Sequence, residues 1–436
     1  MAAVKMDWDK MKSIVGGNTS AIRKIVKLSP AGGPGSKVSP PTYEGGIYAE
    51  EERLLDNKNK INTTILLDSI QSQANRMEMA LLEAYKNGQI RMPMLQVDFS
   101  QNFPEIGKIT VLEAPHRISD AIFRESKLNG ISFRDTDIGK EFVKSNSKNA
   151  TPILKIAPHS LIFGYWDSAR LQGTFNNKLQ RTITSEIIGV EVIKGTHTTS
   201  RIDPLPISST SEIYLSKDGK LTFDPNQAEV NDNGKPVSKK PSELGLGNIT
   251  PGIEKTKEGE KLRGGVTIDY AQQTMVISLP AIRRLQFPLT DGEKPEKANL
   301  VARSLLASLA LYAFVKMEET GYDLRSGCLL IPAGESHFEI IANDGSVETF
   351  ILDAKGAQEL IDNAIKEATN IGLPWNIDVI TLKPSEELVR LIEEGRRYKP
   401  KNNAKKRSKD KKKGEDISEE NKEEKEENNE EDENAD

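Results

Sequence analysis

The 436-residue chain contains one cysteine, Cys328, so no disulfide framework can staple it. Its four histidines, His116, His159, His197 and His337, stand in four unrelated contexts. None has a neighbour at metal-ligand spacing, so neither a metal nor a cofactor is expected. No apolar run is long enough to span a bilayer. The most apolar one, NLVARSLLASLALYAFVKMEE (299–319), contains Arg303 and ends on charges, and it reads as a buried core helix. The opening MAAVKMDWDKMKSIVGG lacks an apolar segment with a small-residue cleavage site, so a cytoplasmic location without a membrane anchor is expected. A positive surplus is missing too: the net charge is −5. That value hides +10 on residues 396–413 and −11 on 414–436, leaving −4 on residues 1–395. Any nucleic-acid site must therefore be local. The charged tail, 396–436, is nearly free of apolar residues and is expected to be disordered.

What is present reads as a mixed α+β fold, a sheet with helices on one face. Strand-like runs are KITVLEA, EIIGVEVI, GVTIDYAQQTMVISL, CLLIPA, FEIIA and IDVITLK; helical runs cover 64–85, 117–126, 294–319, 355–370 and 385–395. Residues 1–45 read as an extended N-terminal arm, because LSPAGGPGSKVSPPTYEGG (28–46) is broken by glycines and prolines. Its GGPGSK lacks the Gly-Lys-Ser/Thr order of a phosphate loop. The body is 46–395, with a polar insertion at 205–262 in which Asp218-Gly219 marks a hairpin turn.

Several segments mix amides, hydroxyls and arginines. In LLDSIQSQANRMEMALL (66–82), Leu66, Leu67, Ile70, Ala74, Met77 and Leu81 form one apolar stripe. The other side carries Gln71, Gln73, Asn75 and Arg76 where a solvated helix would carry Lys and Glu. Ser and Asn are weak helix formers, so such a face implies contact with something. APHRISDAIFRES (114–126) places Arg117, Asp120 and Arg124 on one helical face, with Asp120 and Arg124 spaced as an ion pair. GYWDSARLQGTFNNKLQRT (164–182) sets Tyr165 and Trp166 beside Asp167, Ser168, Arg170, Lys178 and Arg181. Rings for bases and cations for phosphates are what single-stranded nucleic acid requires. GTHTTSRIDP adds Ser200 and Arg201, and AIRRLQFP adds Arg283 and Arg284. No catalytic residue stands out: Cys328 leads an apolar run, and Asp135 and Asp137 are two acids in a loop.

The ordered series SPAGGPGSKVSPPTY, LLDSIQSQANRMEMALL, APHRISDAIFRES, LIFGYWDS, TSEIIGVEV, SRIDPL, PSELGLGNI, GGVTIDYAQQTMVISLPAIRRLQFP and DLRSGCLLIP resembles the backbone subunit of type I-G (formerly I-U) CRISPR effector complexes. These are the Cas-seven group of the RAMP superfamily. The resemblance implies a modified RRM-like (ferredoxin-like) palm with large insertions and a thumb-like hairpin, for which 205–262 is the candidate. It implies a non-enzymatic role: copies line up along the CRISPR RNA spacer in a Cascade-type complex and present it to target DNA in antiviral defence. Implied partners are CRISPR RNA, target DNA through it, further copies in a helical filament, the large subunit and the RNA-processing subunit. Gln71, Gln73, Asn75, Arg76, Arg117, Ser168, Arg170, Arg181, Ser200, Arg201, Arg283 and Arg284 are then expected near the RNA. The alternative is a metal-dependent ribonuclease, as in type III relatives, using Asp135, Asp137 or a thumb acid.

Overall fold

The computed structural model describes residues 4–55, 60–167, 177–208, 210–216, 218–231, 233–253, 263–289 and 295–397; most of the charged tail lies outside them. Its largest element is a ten-stranded sheet. From edge to edge the strands are Val4–Lys5, Val347–Ile351, Phe338–Ala342, Thr19–Pro30, Tyr270–Ser278, Ile183–Val190, Ile61–Asp68 and Glu50–Leu54. The hairpin of Tyr322–Arg325 and Cys328–Pro332 completes the sheet. Thr19–Pro30 is twelve residues long and carries two partners along one side, Phe338–Ala342 near its start and Cys328–Pro332 at its end.

The expectation of an extended arm over 1–45 is therefore corrected. Residues 8–16 form a helix and 19–30 form a central strand; only 31–49 is mostly turns, tied down where Val38 bridges Val266. The strand buries Ile22, Lys24, Val26 and Leu28, while Ile25 faces solvent. Lys24 is tolerated inside because Glu318 holds its ammonium at 2.7 Å and the Phe338 ring lies 4.5 Å away.

Helices Trp8–Gly16, Ile70–Lys86 and Ala354–Asn370 pack around Pro295–Glu319. The last is apolar on nearly all sides, as a fully enclosed helix must be. Among the described residues it is the one helix long and apolar enough to cross a membrane, and most of its apolar stretch is buried inside the fold. The helix expected over 64–85 divides at Ser69. Leu66 and Leu67 belong to the strand Ile61–Asp68, and the Ser69 hydroxyl caps Ile70–Lys86 by accepting from the Ser72 amide at 3.2 Å.

A second, five-stranded sheet runs Lys108–Thr110, Met94–Asp98, Val379–Pro384, Ser126–Leu128 and Ile131–Ser132. It shares one core with the first: Leu95, Val97 and Leu382 belong to the same buried cluster as Leu305 and Leu309. The fold is α+β.

The described part of 205–262 belongs to an arm that grows out of the sheet. Strands Ile183–Val190 and Tyr270–Ser278 pair in the sheet, and the chain beyond them continues as a two-stranded arm. Ile193–Thr196 pairs with Arg263–Thr267, then Thr198–Arg201 with Ile249–Ile253. A small sheet of Leu221–Thr222, Ile213–Leu215 and Ser238–Lys239 follows. The Asp218-Gly219 turn falls in this sheet, between paired strands. The arm is bare of cover: Ile193, Ile202 and Phe223 are each more than two-thirds exposed.

Candidate nucleic-acid interface

Gly164 starts the site. Its φ of +76° suits glycine, and a Cβ there would meet the Arg181 amide nitrogen at 2.8 Å. The close approach lets Tyr165–Asp167 pair with Asn177–Leu179, setting Trp166 opposite Lys178. Side chains alternate along the strand. Tyr165 turns inward against Phe142, ring centres 5.9 Å apart, and buried Asp167 takes Arg134 at 2.7 Å. Trp166 faces out, 59% exposed.

Under this strand lies a buried ion pair. Arg117, at φ +53°, donates from Nε and Nη2 to the two Glu78 oxygens at 2.6 and 2.9 Å, and from Nη1 to the Gly164 carbonyl at 3.2 Å. Burial pushes the Glu78 carboxyl up to about 7 against the opposing pull of Arg117. Burial and then the Arg117 charge push the neighbouring His159 down to about 3, so its ring is neutral, with Nε2 on the Val111 carbonyl at 3.2 Å. Burial and Arg117 also lower Arg181 from the usual arginine range.

These elements wall a cleft of about 870 Å³, lined by Gln71, His116, Arg117 and Arg124 on one side and Trp166, Lys178, Gln180 and Arg181 on the other. Its charges are unequal. Glu78 answers Arg117, Glu125 takes Arg124 at 2.7 Å, and Arg134 takes Asp167. Among the described residues no carboxylate lies at ion-pair distance from Lys178 or Arg181. Lys178, Leu179 and Gln180 also line an adjoining cleft of about 410 Å³ that reaches Arg284 and Asn146. The arrangement is a basic track with an exposed ring lining it.

Of the residues singled out in the sequence, Gln71, Arg117 and Arg181 meet in the main cleft and Arg284 in its extension. Asn75 is exposed one turn beyond Gln71. Ser200 and Arg201 lie on the arm, in Thr198–Arg201. Ser168 and Arg170 lie outside the described residues.

Three placements correct expectation. Gln73 is buried, donating to Asp68 at 2.6 Å and accepting from Ser185 and Gln273, each at 2.8 Å. Arg76 binds Asp68 at 2.9 Å and the Leu324 carbonyl at 2.6 Å. Arg283 donates to the Val15 and Ile14 carbonyls, satisfying the end of the first helix. The amide face thus packs partly on a polar seam of the protein itself. Nor do Arg117, Asp120 and Arg124 share a helical face. Arg117–Ser119 is a 3-10 turn, and Asp120 caps the short helix Ala121–Arg124 by accepting from the Ile122 amide.

Glu78 is not among the residues singled out in the sequence, although an acid one residue after Met77 and four after Ala74 interrupts the apolar stripe and marks a buried partner. Asp135 and Asp137 are exposed, Asp137 in the first turn of Asp137–Lys144 where its charge suits the helix dipole. Among the described residues, no three His, Cys, Asp or Glu side chains cluster to hold a metal.

No curated protein matches the chain. Residues 22–194 match the family model described as CRISPR-associated protein GSU0053. That stretch holds most of the central strand, the helix Ile70–Lys86, the walls of the main cleft and the root of the arm.

Proposed function

We propose that the chain is a CRISPR RNA-binding backbone subunit of a Cascade-type complex, of the type I-G group, without catalysis of its own. Copies would follow one another along the spacer in the cytoplasm, beside a large subunit and an RNA-processing subunit, and present the RNA to target DNA. The supporting observation is the basic cleft with its outward tryptophan, lying inside the segment matched to the CRISPR-associated family. A subunit that must hold any spacer should grip phosphates and 2′-hydroxyls and leave most base edges free. Amides, one ring, and Lys178 and Arg181, with no carboxylate at ion-pair distance among the described residues, suit that task. On this reading the sheets are a modified RRM-like palm and the arm is the thumb, with exposed Ile193, Ile202 and Phe223 available to a neighbouring subunit.

The test is to express the chain with a CRISPR array and the neighbouring subunits, purify through it, and sequence the bound RNA. Spacer RNA of uniform length is the expected result; bare protein or random cellular RNA would overturn the reading. Cleavage of complementary RNA that Asp135→Ala or Asp137→Ala abolishes would replace it with the ribonuclease alternative. A further expectation concerns Lys178 and Arg181. Changing both to alanine should make the slope of log affinity against log salt shallower by about 1.4, since each single-strand phosphate contact contributes about 0.7. An unchanged slope would place the phosphates elsewhere.

A further inference from the structure

An exposed tryptophan lining the cleft needs an explanation, because the other two, Trp8 and Trp375, are buried with their indole N–H groups bonded to Glu367 and the Arg91 carbonyl. Trp166 is not outside for want of order. The residues on either side are anchored inward, Tyr165 by Phe142 and Asp167 by Arg134. The carbonyl of Gly164, two residues before it, is held by Arg117, whose guanidinium is fixed in turn by buried Glu78. The strand partner Lys178 places its ammonium 5.8 Å from the indole centre, on the same wall as Arg181. A ring on a pinned backbone, beside two cations with no carboxylate at ion-pair distance among the described residues, combines a stacking surface with phosphate-seeking charge. A cleft of about 870 Å³ is roomy enough for a nucleotide rather than a lone ion.

We propose that Trp166 is a stacking platform for one unpaired base of the strand in the cleft, with Lys178 and Arg181 receiving the adjoining phosphates. The proposal rests on the RNA-binding reading and adds to it one base contact, tolerant of sequence, at a stated residue. The Glu78–Arg117–Gly164 chain is the positioning element beneath it.

The test uses the full chain and two probes: a single-stranded oligoribonucleotide of mixed sequence and an abasic oligonucleotide of equal length. Titration with the first should quench tryptophan fluorescence, a signal that belongs to Trp166 because the other two indoles are buried. Trp166→Ala should weaken binding of that RNA by about 10- to 100-fold, the usual effect of losing one base–aromatic stack. Trp166→Phe should restore most of it. The abasic probe should bind wild type and Trp166→Ala alike, without quenching. RNA binding of wild-type strength by Trp166→Ala, or binding without quenching, would overturn the stacking platform and leave the RNA-binding reading intact. Failure of wild type to bind either probe would overturn both.

Discussion

Glu78→Ala should destabilise the protein by about 3–5 kcal/mol, the usual cost of stripping one partner from a buried ion pair. The change strands the Arg117 guanidinium, which keeps only the Gly164 carbonyl and the Phe163 ring, centred 5.5 Å away. Urea denaturation of the full chain at about pH 8, above the raised Glu78 value so that the carboxylate is ionised, measures it, and a loss below about 1 kcal/mol would mean that Arg117 reaches water. Replacing both partners by apolar residues should return much of the stability, since desolvation of the pair is then no longer required. The same site sets a pH signature. Glu78 is raised from the ordinary 4.5 to about 7, so its contribution is complete below pH 4.5 and lost as pH rises through 7. His159 is lowered from 6.5 to about 3, so its contribution is complete above pH 6.5 and lost as pH falls towards 3. Between pH 4.5 and 6.5 the two slopes oppose each other. Glu78→Gln removes one of them, and stability should then rise by about 1.4 kcal/mol per pH unit across that window. A variant as flat as wild type would rule this balance out.

Asp68→Ala should be comparably severe. The buried Asp68 carboxylate accepts from Ser72 at 2.8 Å, Gln73 at 2.6 Å, Arg76 at 2.9 Å and Arg325 at 3.3 Å. Without it, two guanidiniums face each other and a buried amide loses its acceptor, again about 3–5 kcal/mol. The damage should concentrate in the hairpin Tyr322–Pro332, which Arg325 and the Arg76–Leu324 bond tie to the helix. Cys328 sits in that hairpin, fully buried, its thiol pushed up by burial, and it is the chain's sole cysteine. Its reaction with a thiol reagent therefore reports local opening. Asp68→Ala should accelerate it by at least about 100-fold, as 1.4 kcal/mol is tenfold. An unchanged rate would show that the hairpin is held by its strand pairing alone.

The parts of the fold legible in the sequence are those where one residue type fills each role. Pro295–Glu319 is apolar over most of its length, and Ala354–Asn370 and Cys328–Pro332 sit where their patterns put them. The central strand escaped because two positions exchange character: Lys24 lies inside, matched by Glu318, and Ile25 lies outside. The polar seam misled in the same way. Gln73 looks like a ligand contact until Ser185 and Gln273, more than a hundred residues away, arrive to meet it. The cleft was legible in its parts, since Gln71, Arg117, Trp166 and Arg181 all stand in segments of mixed rings, amides and cations. Their assembly was not, because it depends on Glu78 and on Gly164 admitting Arg181.

The pairing of Thr19–Pro30 with Tyr270–Ser278 sets a timetable for synthesis. Ala21 meets Ser278 and Leu28 meets Ala271, so partners at the middle of the sheet are separated by about 250 residues. At roughly 5–20 residues per second, the first long strand must wait on the order of 12–50 s for its neighbour to leave the ribosome. During that interval Ile22, Val26 and Leu28 have no sheet to enter, and the nascent chain presents an unpaired apolar edge. The gap is filled by the helix Ile70–Lys86, the cleft and the arm, so the walls of the cleft are translated before the sheet that supports them can close.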